Sequence, residues 1–301
     1  MNIKSGYVAI IGKPNVGKST LLNSLIGEKL SITTSKPQTT RKKILGILNS
    51  ENYQIIFLDT PGVLNPTYLL QKRMSEYVFE AINDADILLF MLDISKDPNA
   101  LTLEDEKVKE ILNSVKTPKI LLINKIDLSN ETVLTNTINK LEKMKMFDKI
   151  IPVSASLGVN LSQVISAILK FLPEHPKYFP DDQLSDQNER FFVSELIREK
   201  IFEHFRDEIP FSAEVVIEEF KEREKGKDYI SAVIIVEKDS QKPIIIGKKG
   251  EAIKKIGKLS REAIEKFLRR EVFLELRVKV RNKWRSNPNF LNRIGYKPGE
   301  K

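Results

Sequence analysis

Short apolar runs alternate with longer stretches of helical periodicity over the first 172 positions. The apolar runs fall at about 7–11, 43–49, 53–58, 86–92, 119–123 and 149–153, and a 3.6-residue pattern occupies about 18–26, 69–83, 103–115, 131–145 and 160–172. Strands apolar on both faces, interleaved with amphipathic helices, predict an α/β domain over residues 1–172: a doubly wound, mainly parallel sheet with its ligand-binding loops at the C-terminal strand ends. The next stretch, PEHPKYFPDDQLSDQ, gathers Pro173, Pro176 and Pro180 among acidic residues without sustained periodicity and reads as a linker over 173–187.

The pattern then changes. NERFFVSELIREKIFEHF reads as a helix, SAEVVIEEFKERE as an alternating strand, Lys225-Gly226-Lys227-Asp228 as a turn and YISAVIIVEK as a second strand. The apolar run Pro243 to Ile246 leads, in a strand-to-helix context, into Gly247-Lys248-Lys249-Gly250. EAIKKIGKLSREAIEKFLRR follows as a basic amphipathic helix, and VFLELRVKVR as a closing strand. A smaller α+β domain is therefore expected over 188–282, with a basic tail over 283–301. Ile253, Ile256, Leu259, Ile264 and Phe267 of the basic helix read mostly as core. Trp284, the only tryptophan, has two readings: a base-stacking ring or an anchor for the tail.

Composition narrows the chemistry. Without cysteine the chain has no disulfides or thiolate metal sites, and His175 and His204 are too isolated to form a metal constellation. No apolar run approaches the about 18 residues of a membrane span, since ILLFMLDI is interrupted by Asp93, and MNIKSGYVAI lacks a signal-peptide pattern; a soluble, cytoplasmic protein is expected. The net charge of +8 is unevenly spread: residues 181–240 carry nine Lys and Arg against seventeen Asp and Glu, whereas residues 241–301 carry eighteen against six. Such polarity points to an oriented, polyanionic partner.

The chemistry concentrates in four segments of the first domain. Gly12-Lys13-Pro14-Asn15-Val16-Gly17-Lys18-Ser19-Thr20 lies between a strand and a helix, where backbone N–H groups can wrap a polyphosphate, Lys18 can reach its β and γ phosphates and the Ser19 hydroxyl can ligate Mg²⁺. Asp59-Thr60-Pro61-Gly62 ends an apolar strand; Asp59 can hold the Mg²⁺ shell and the Gly62 N–H can face a γ-phosphate. Asn124-Lys125-Ile126-Asp127 ends another, and the Asp127 carboxylate can accept two hydrogen bonds from guanine where adenine offers no matching donor pair. Ser154-Ala155-Ser156 ends a third, with backbone available to the base oxygen. Each is common alone. Their joint order and spacing are specific for GTP and GDP with Mg²⁺, and the chain resembles the translation-factor-related GTPases.

In Ras-like proteins a glutamine after the switch glycine orients the attacking water; here Val63 occupies that position and cannot do so. The resemblance implies slow intrinsic hydrolysis, catalytic roles for Lys18, Thr40 and Gly62, and Thr40 as the favoured Mg²⁺ ligand within SKPQTTRKK, with Thr39 as the alternative. It also makes Asn15 a candidate ligand for an activating K⁺, against the plainer reading of a turn former. Arg41, Lys42 and Lys43 read as a solvated or RNA-facing charge run rather than an internal arginine finger.

An apolar run entering Gly-x-x-Gly with two lysines resembles the phosphate clamp of KH domains, and the element order matches their prokaryotic type: Gly247, Lys248, Lys249 and Gly250 would contact RNA. GKPNVGKS, KPQTTR, DTPG, NKID, SAS, GKKG and the WRSNP-bearing tail, in that order, are similar to the Era family of bacterial ribosome-assembly GTPases almost end to end. That resemblance implies binding near the 3′ end of 16S ribosomal RNA in the 30S subunit and occasional peripheral membrane association; a monomer is expected. The contrasting reading is a regulatory GTPase whose basic part adsorbs to lipid or a protein partner; adsorption needs charge but no glycine clamp.

Overall fold

The computed structural model describes residues 3–298. The first sheet contains β1 (Lys4–Gly12), β2 (Ile44–Asn49), β3 (Tyr53–Asp59), β4 (Ile87–Asp93), β5 (Lys119–Asn124) and β6 (Lys149–Pro152) in the order β2-β3-β1-β4-β5-β6. Only the β2–β3 pair is antiparallel. Helices α1 (Lys18–Ile26) and α5 (Leu161–Phe171) cover one face; α2 (Leu69–Asp84), α3 (Glu106–Ser114) and α4 (Glu131–Met144) cover the other. Alternation along β1 explains the two layers, because Val8 and Ile10 enter one core while Ala9 and Ile11 enter the other. With both faces covered, β4 is buried at every position, which is why its sequence shows no alternation. Caps set the helix starts: the Asp105 carboxylate accepts from the N–H groups of Lys107 and Val108, and Asn130 accepts from that of Val133.

Residues 173–187 are an ordered strap along β2 and β3. Ile47 N–H donates to the Leu184 carbonyl at 2.8 Å, so the strap covers part of the exposed edge of β2. Gln54, fully buried, donates to the Phe179 carbonyl and accepts from the N–H groups of Tyr178 and Phe179.

In the second domain α6 (Glu189–His204) and the short α7 (Ile209–Ser212) precede β7 (Glu214–Lys221) and β8 (Asp228–Val236), an antiparallel pair. Then come α8 (Gln241–Ile246), α9 (Glu251–Leu268) and β9 (Val272–Val280), the last parallel to β8. The apolar run before GKKG is thus a helix, so the turn joins helix to helix where a strand-to-helix context was expected. Its start is tied by the Gln241 side chain, which accepts from the N–H groups of Glu237 and Lys238, and a proline in the run disfavours a ladder. The β7 pattern breaks between Ile217 and Glu219, where the register shifts. α6 and α9 pack on one face of this sheet.

The opposite face is covered by the end of the chain. Trp284, Phe290, Leu291 and Tyr296, from a 3-10 turn through α10 (Pro288–Arg293), form one cluster with Val233 and Ile235 of β8 and Leu70 and Met74 of α2. Of the two readings of Trp284 the structure has the anchor: it is fully buried, and its indole N–H donates to the Ser212 carbonyl at 2.8 Å. Trp284→Ala should therefore lower unfolding free energy by about 3–5 kcal/mol through cavity formation and the orphaned carbonyl, measured by urea unfolding. A loss under about 1 kcal/mol would mean that this wedge does not hold the domains together.

Candidate functional site

The loop from Gly12 to Ser19 leaves β1 where the sheet order reverses, the position at which open α/β sheets bind ligands. Gly17 has φ +103° and stands at the start of α1; a Cβ there would lie 2.3 Å from Asn124 Nδ2. Asn124 joins three loops: its amide donates to the Val16 carbonyl at 2.7 Å, and its oxygen accepts from the Ala155 N–H at 3.0 Å. That N–H is therefore already paired, and the Ala155 carbonyl accepts from the Ser24 hydroxyl. Ser154 is buried, with its hydroxyl 3.3 Å from that of Ser156. Lys125, at φ +65°, donates to the Asn15 carbonyl (2.9 Å) and to Asp93 (2.6 Å), a partner that no motif announced. Asp127 follows in a 3-10 turn, exposed to solvent. Lys13 pairs with Asp105 at 3.2 Å, its carbonyl facing Lys18.

Around α1 the polar groups converge. Lys18 is buried and donates to the Gly12 and Lys13 carbonyls at 3.2 and 3.1 Å. Burial pushes its ammonium down to about 8, against the opposing pull of Asp59. The Ser19 hydroxyl donates to Asp59 Oδ2 at 2.7 Å and lies 2.8 Å from the Thr40 hydroxyl; Ser31 Oγ also donates to Asp59. Thr39 instead bonds within its own turn, to Thr34 Oγ1 and the Lys36 carbonyl. Asp59 is fully buried, which raises its carboxyl despite Lys18 and the two serine hydroxyls, and its Oδ1 has no hydrogen-bond partner. An orphaned carboxylate oxygen beside two hydroxyls is a hard-oxygen donor set that fits Mg²⁺ completed by phosphates. Pro14, Thr20 and Gly62 line the same cleft.

Thr60 donates to the Ile10 carbonyl at 3.0 Å, fixing the turn through Pro61 that brings Gly62 against the loop. A Cβ on Gly62 would fall 2.6 Å from Pro14 N, so the backbone approach needs glycine. Val63 N–H donates to the Gly12 carbonyl at 3.1 Å, and its side chain is buried in the core beneath α2 and α3. Asn15, at φ +66°, donates from its amide to the Ser35 carbonyl at 2.8 Å.

The charge run that follows corrects the sequence reading. Arg41 is 3% exposed and donates only into the second domain, to the carbonyls of Ala213, Pro210 and Phe211 and to Glu214. Lys42 donates to the Ile294 carbonyl and lies over the Tyr296 ring; only Lys43 is a surface cation, beside Asp84. Arg41 and Lys42 are thus neither solvated nor RNA-facing. Spacing alone gave no signal, because their acceptors lie some 170 or more residues away.

In the second domain Gly247 and Gly250 have φ +74° and +77°, and GKKG links α8 to α9. A Cβ on Gly247 would meet Ala252 at 2.6 Å, whereas Gly250 faces open space. Beside the turn, Ile253, Lys254, Lys258 and Arg261 of α9 and Leu274 and Leu276 of β9 line a groove floored by Gly257. The sequence reading did not anticipate this groove; Ile253, read as core, does pack against the core and also lines the groove.

Fold and site together define a P-loop GTPase joined to a KH domain. The family described as 50S ribosome-binding GTPase matches residues 7–125, and the KH domain family matches residues 208–285. GTPase Era of Geobacter sp. (strain M21) is 47% identical over 97% of this chain and 98% of its own length. That of Halothermothrix orenii is 45% identical over 99% and 100%. Two solved structures superpose nearly end to end. A variant of Aquifex aeolicus Era bound to GDP and aluminium fluoride has a TM-score of 0.92 at 40% identity, covering 98% of this chain and 100% of its own. Era in complex with MgGDPNP and nucleotides 1506–1542 of 16S ribosomal RNA has a TM-score of 0.93 at 41% identity, covering 98% and 99%. The chain belongs to the Era family of GTPases.

A phosphate placed beside Lys18 would favour its charged form, so nucleotide bound there should raise a pKa that burial has lowered to about 8. Below pH 8 the ammonium is already charged and affinity is flat in this term. Above pH 8 binding takes up a proton, and GDP affinity should fall by up to about tenfold per pH unit. Titrations between pH 7 and 9 check it; constant affinity across that range would show Lys18 to be fully charged in the free protein.

Proposed function

We propose that this chain is a GTP-hydrolysing switch that binds the 3′ region of 16S ribosomal RNA through its KH domain and assists assembly of the 30S subunit in the cytoplasm. The observation that carries the reading is the helix–GKKG–helix turn opening onto a basic-rimmed groove, in a chain whose 41% identical relative is solved with that RNA. Among the described residues no helix is long and apolar enough to cross a membrane.

In this reading the Gly12–Thr20 backbone wraps the phosphates and Lys18 neutralises the β and γ groups. Ser19, Thr40 and Asp59 hold Mg²⁺, which when bound neutralises charge on the phosphate oxygens. Support for Thr40 over Thr39 is its 2.8 Å approach to Ser19. Gly62 presents its N–H to the γ-phosphate, and Asp127 selects guanine while Asn124 and Lys125 brace the surrounding loops. Val63 is committed to the core and orients no water. The Asn15 oxygen, its amide nitrogen being occupied by Ser35, suits an activating K⁺. On the KH side, the glycine backbone and two lysines meet phosphates, and bases enter the groove.

Hydrolysis by the isolated protein is therefore expected to be slow and several-fold faster in potassium than in sodium at equal ionic strength, with Asn15→Ala abolishing the difference. Equal wild-type rates in the two salts would leave Asn15 as a turn residue.

Gly247→Asp should abolish binding of a 16S 3′-end oligonucleotide and leave GTP hydrolysis unchanged, since it adds bulk against Ala252 and negative charge where phosphate approaches. Lys248→Ala with Lys249→Ala should weaken binding across sequences and flatten the log K against log salt slope by about 0.7 per lost contact on a single strand. Filter binding across salt concentrations measures both. Wild-type RNA affinity in Gly247→Asp, with anionic vesicles bound instead, would favour lipid as the partner of this face.

A further inference from the structure

Between Gly27 and Ile44 the chain has no helix or strand of its own, so its path is fixed by what its side chains hold. On one side lies the nucleotide cleft, through Thr40. On the other lies the KH domain. Lys29 pairs with Glu199 at 2.6 Å, the Thr33 N–H donates to the other oxygen of the same carboxylate at 3.1 Å, and the Lys36 ammonium donates to the Phe202 and Phe205 carbonyls.

Arg41 makes the deepest of these contacts. Its Nη1 donates to the Ala213 carbonyl at 2.7 Å and to Glu214 Oε2 at 2.9 Å, and its Nη2 to the Pro210 and Phe211 carbonyls at 3.0 and 3.2 Å. The guanidinium lies over the rings of Phe202 and Trp284, and Tyr296 donates to the same Glu214 oxygen at 2.7 Å. A buried guanidinium is tolerated only where its donors are satisfied, and all four acceptors come from one short stretch, residues 210–214. Its backbone neighbour, Thr40, is the residue facing Ser19.

We propose that the KH domain completes the cation side of the nucleotide site through Arg41, a positioning residue whose burial against Glu214 and the 210–213 carbonyls holds Thr40 beside Ser19 and Asp59. The inference rests on the reading of Thr40 as a Mg²⁺ ligand. It gives the coupling between the domains a direction: whatever shifts residues 210–214 moves Thr40, and whatever draws Thr40 toward a γ-phosphate loads the Arg41–Glu214 contact. GDP, which lacks that phosphate, makes no demand on it.

A double-mutant cycle tests this in the full chain. Thr40→Ala, Arg41→Ala and the double variant are compared for kcat and for affinity toward a non-hydrolysable GTP analogue relative to GDP, all in MgCl₂. Arg41→Ala should lower kcat and the analogue-to-GDP affinity ratio by about tenfold or more, the scale of a displaced catalytic group, with GDP affinity held. If Arg41 acts through Thr40, the double variant is no worse than Thr40→Ala alone. Multiplicative losses in the double variant would overturn the proposal, as would wild-type values in Arg41→Ala. A silent Thr40→Ala would instead sink the assignment of Thr40 itself, an outcome distinct from these. Glu214→Gln, which keeps shape and the three carbonyl contacts, guards against misfolding of Arg41→Ala: it should reduce the affinity ratio about threefold, and an unchanged ratio with an intact melting transition counts against the proposal.

Discussion

A guanidinium taken out of water must find an acceptor for its donors, and that requirement organises this molecule. Arg41 belongs to a segment without secondary structure in the first domain, yet every hydrogen bond from its side chain ends on residues 210–214 of the second. Burial alone would push the Glu214 carboxyl up, but Arg41, Arg198, the Tyr296 hydroxyl and Lys42 outweigh it and hold it below the ordinary carboxylate range. The same carboxylate thus ties the switch segment, the KH domain and the chain end. The wedge of Trp284, Phe290 and Leu291 closes the gap between β8 and α2, keeping water from the ion pair.

The nucleotide site depends on a different economy of space. Gly17 and Gly62 are glycine because Asn124 and Pro14 occupy the volume a Cβ would need, so any side chain there would push these loops apart. Asn124 then spans from Val16 to Ala155 and Lys125 from Asn15 to Asp93, so base-side and phosphate-side loops form one rigid cradle. The irregular path of residues 28–43 differs, because its anchors are contacts with the second domain.

What could be read from the sequence was local. The phosphate loop, DTPG, NKID and GKKG announce themselves because backbone approach and a few side chains within a handful of residues carry the chemistry. The parallel strands announce themselves because burial on both faces leaves uninterrupted apolar runs, as in β4. What escaped was set by distant partners. Arg41 and Lys42 look like a surface charge run until residues 210–214 and 294 arrive to accept their hydrogen bonds. The apolar run before GKKG gives no sign of the helix whose start Gln241 ties back to Glu237 and Lys238. The strap over 173–187 reads as a loose connection because its contacts with Gln54 and Ile47 lie more than a hundred positions away. Ser31 and Asp93, which support Asp59 and Lys125, belong to no motif.

The charge polarity of the second domain now has a geometric meaning. The acidic stretch, residues 181–240, supplies Glu199 and Glu214 to Lys29 and Arg41 of the first domain. The basic stretch supplies Lys254, Lys258 and Arg261 to the rim of the groove beside GKKG. A polyanion approaching the acidic side would be repelled; approaching the basic side, it meets cationic donors beside apolar side chains. One small domain therefore presents opposite signs to two partners, one inside the chain and one outside, and α6, which carries Glu199, packs directly on α9, which carries the groove. The acidic and basic faces are thus joined through the packed pair α6 and α9, with no solvent layer between them.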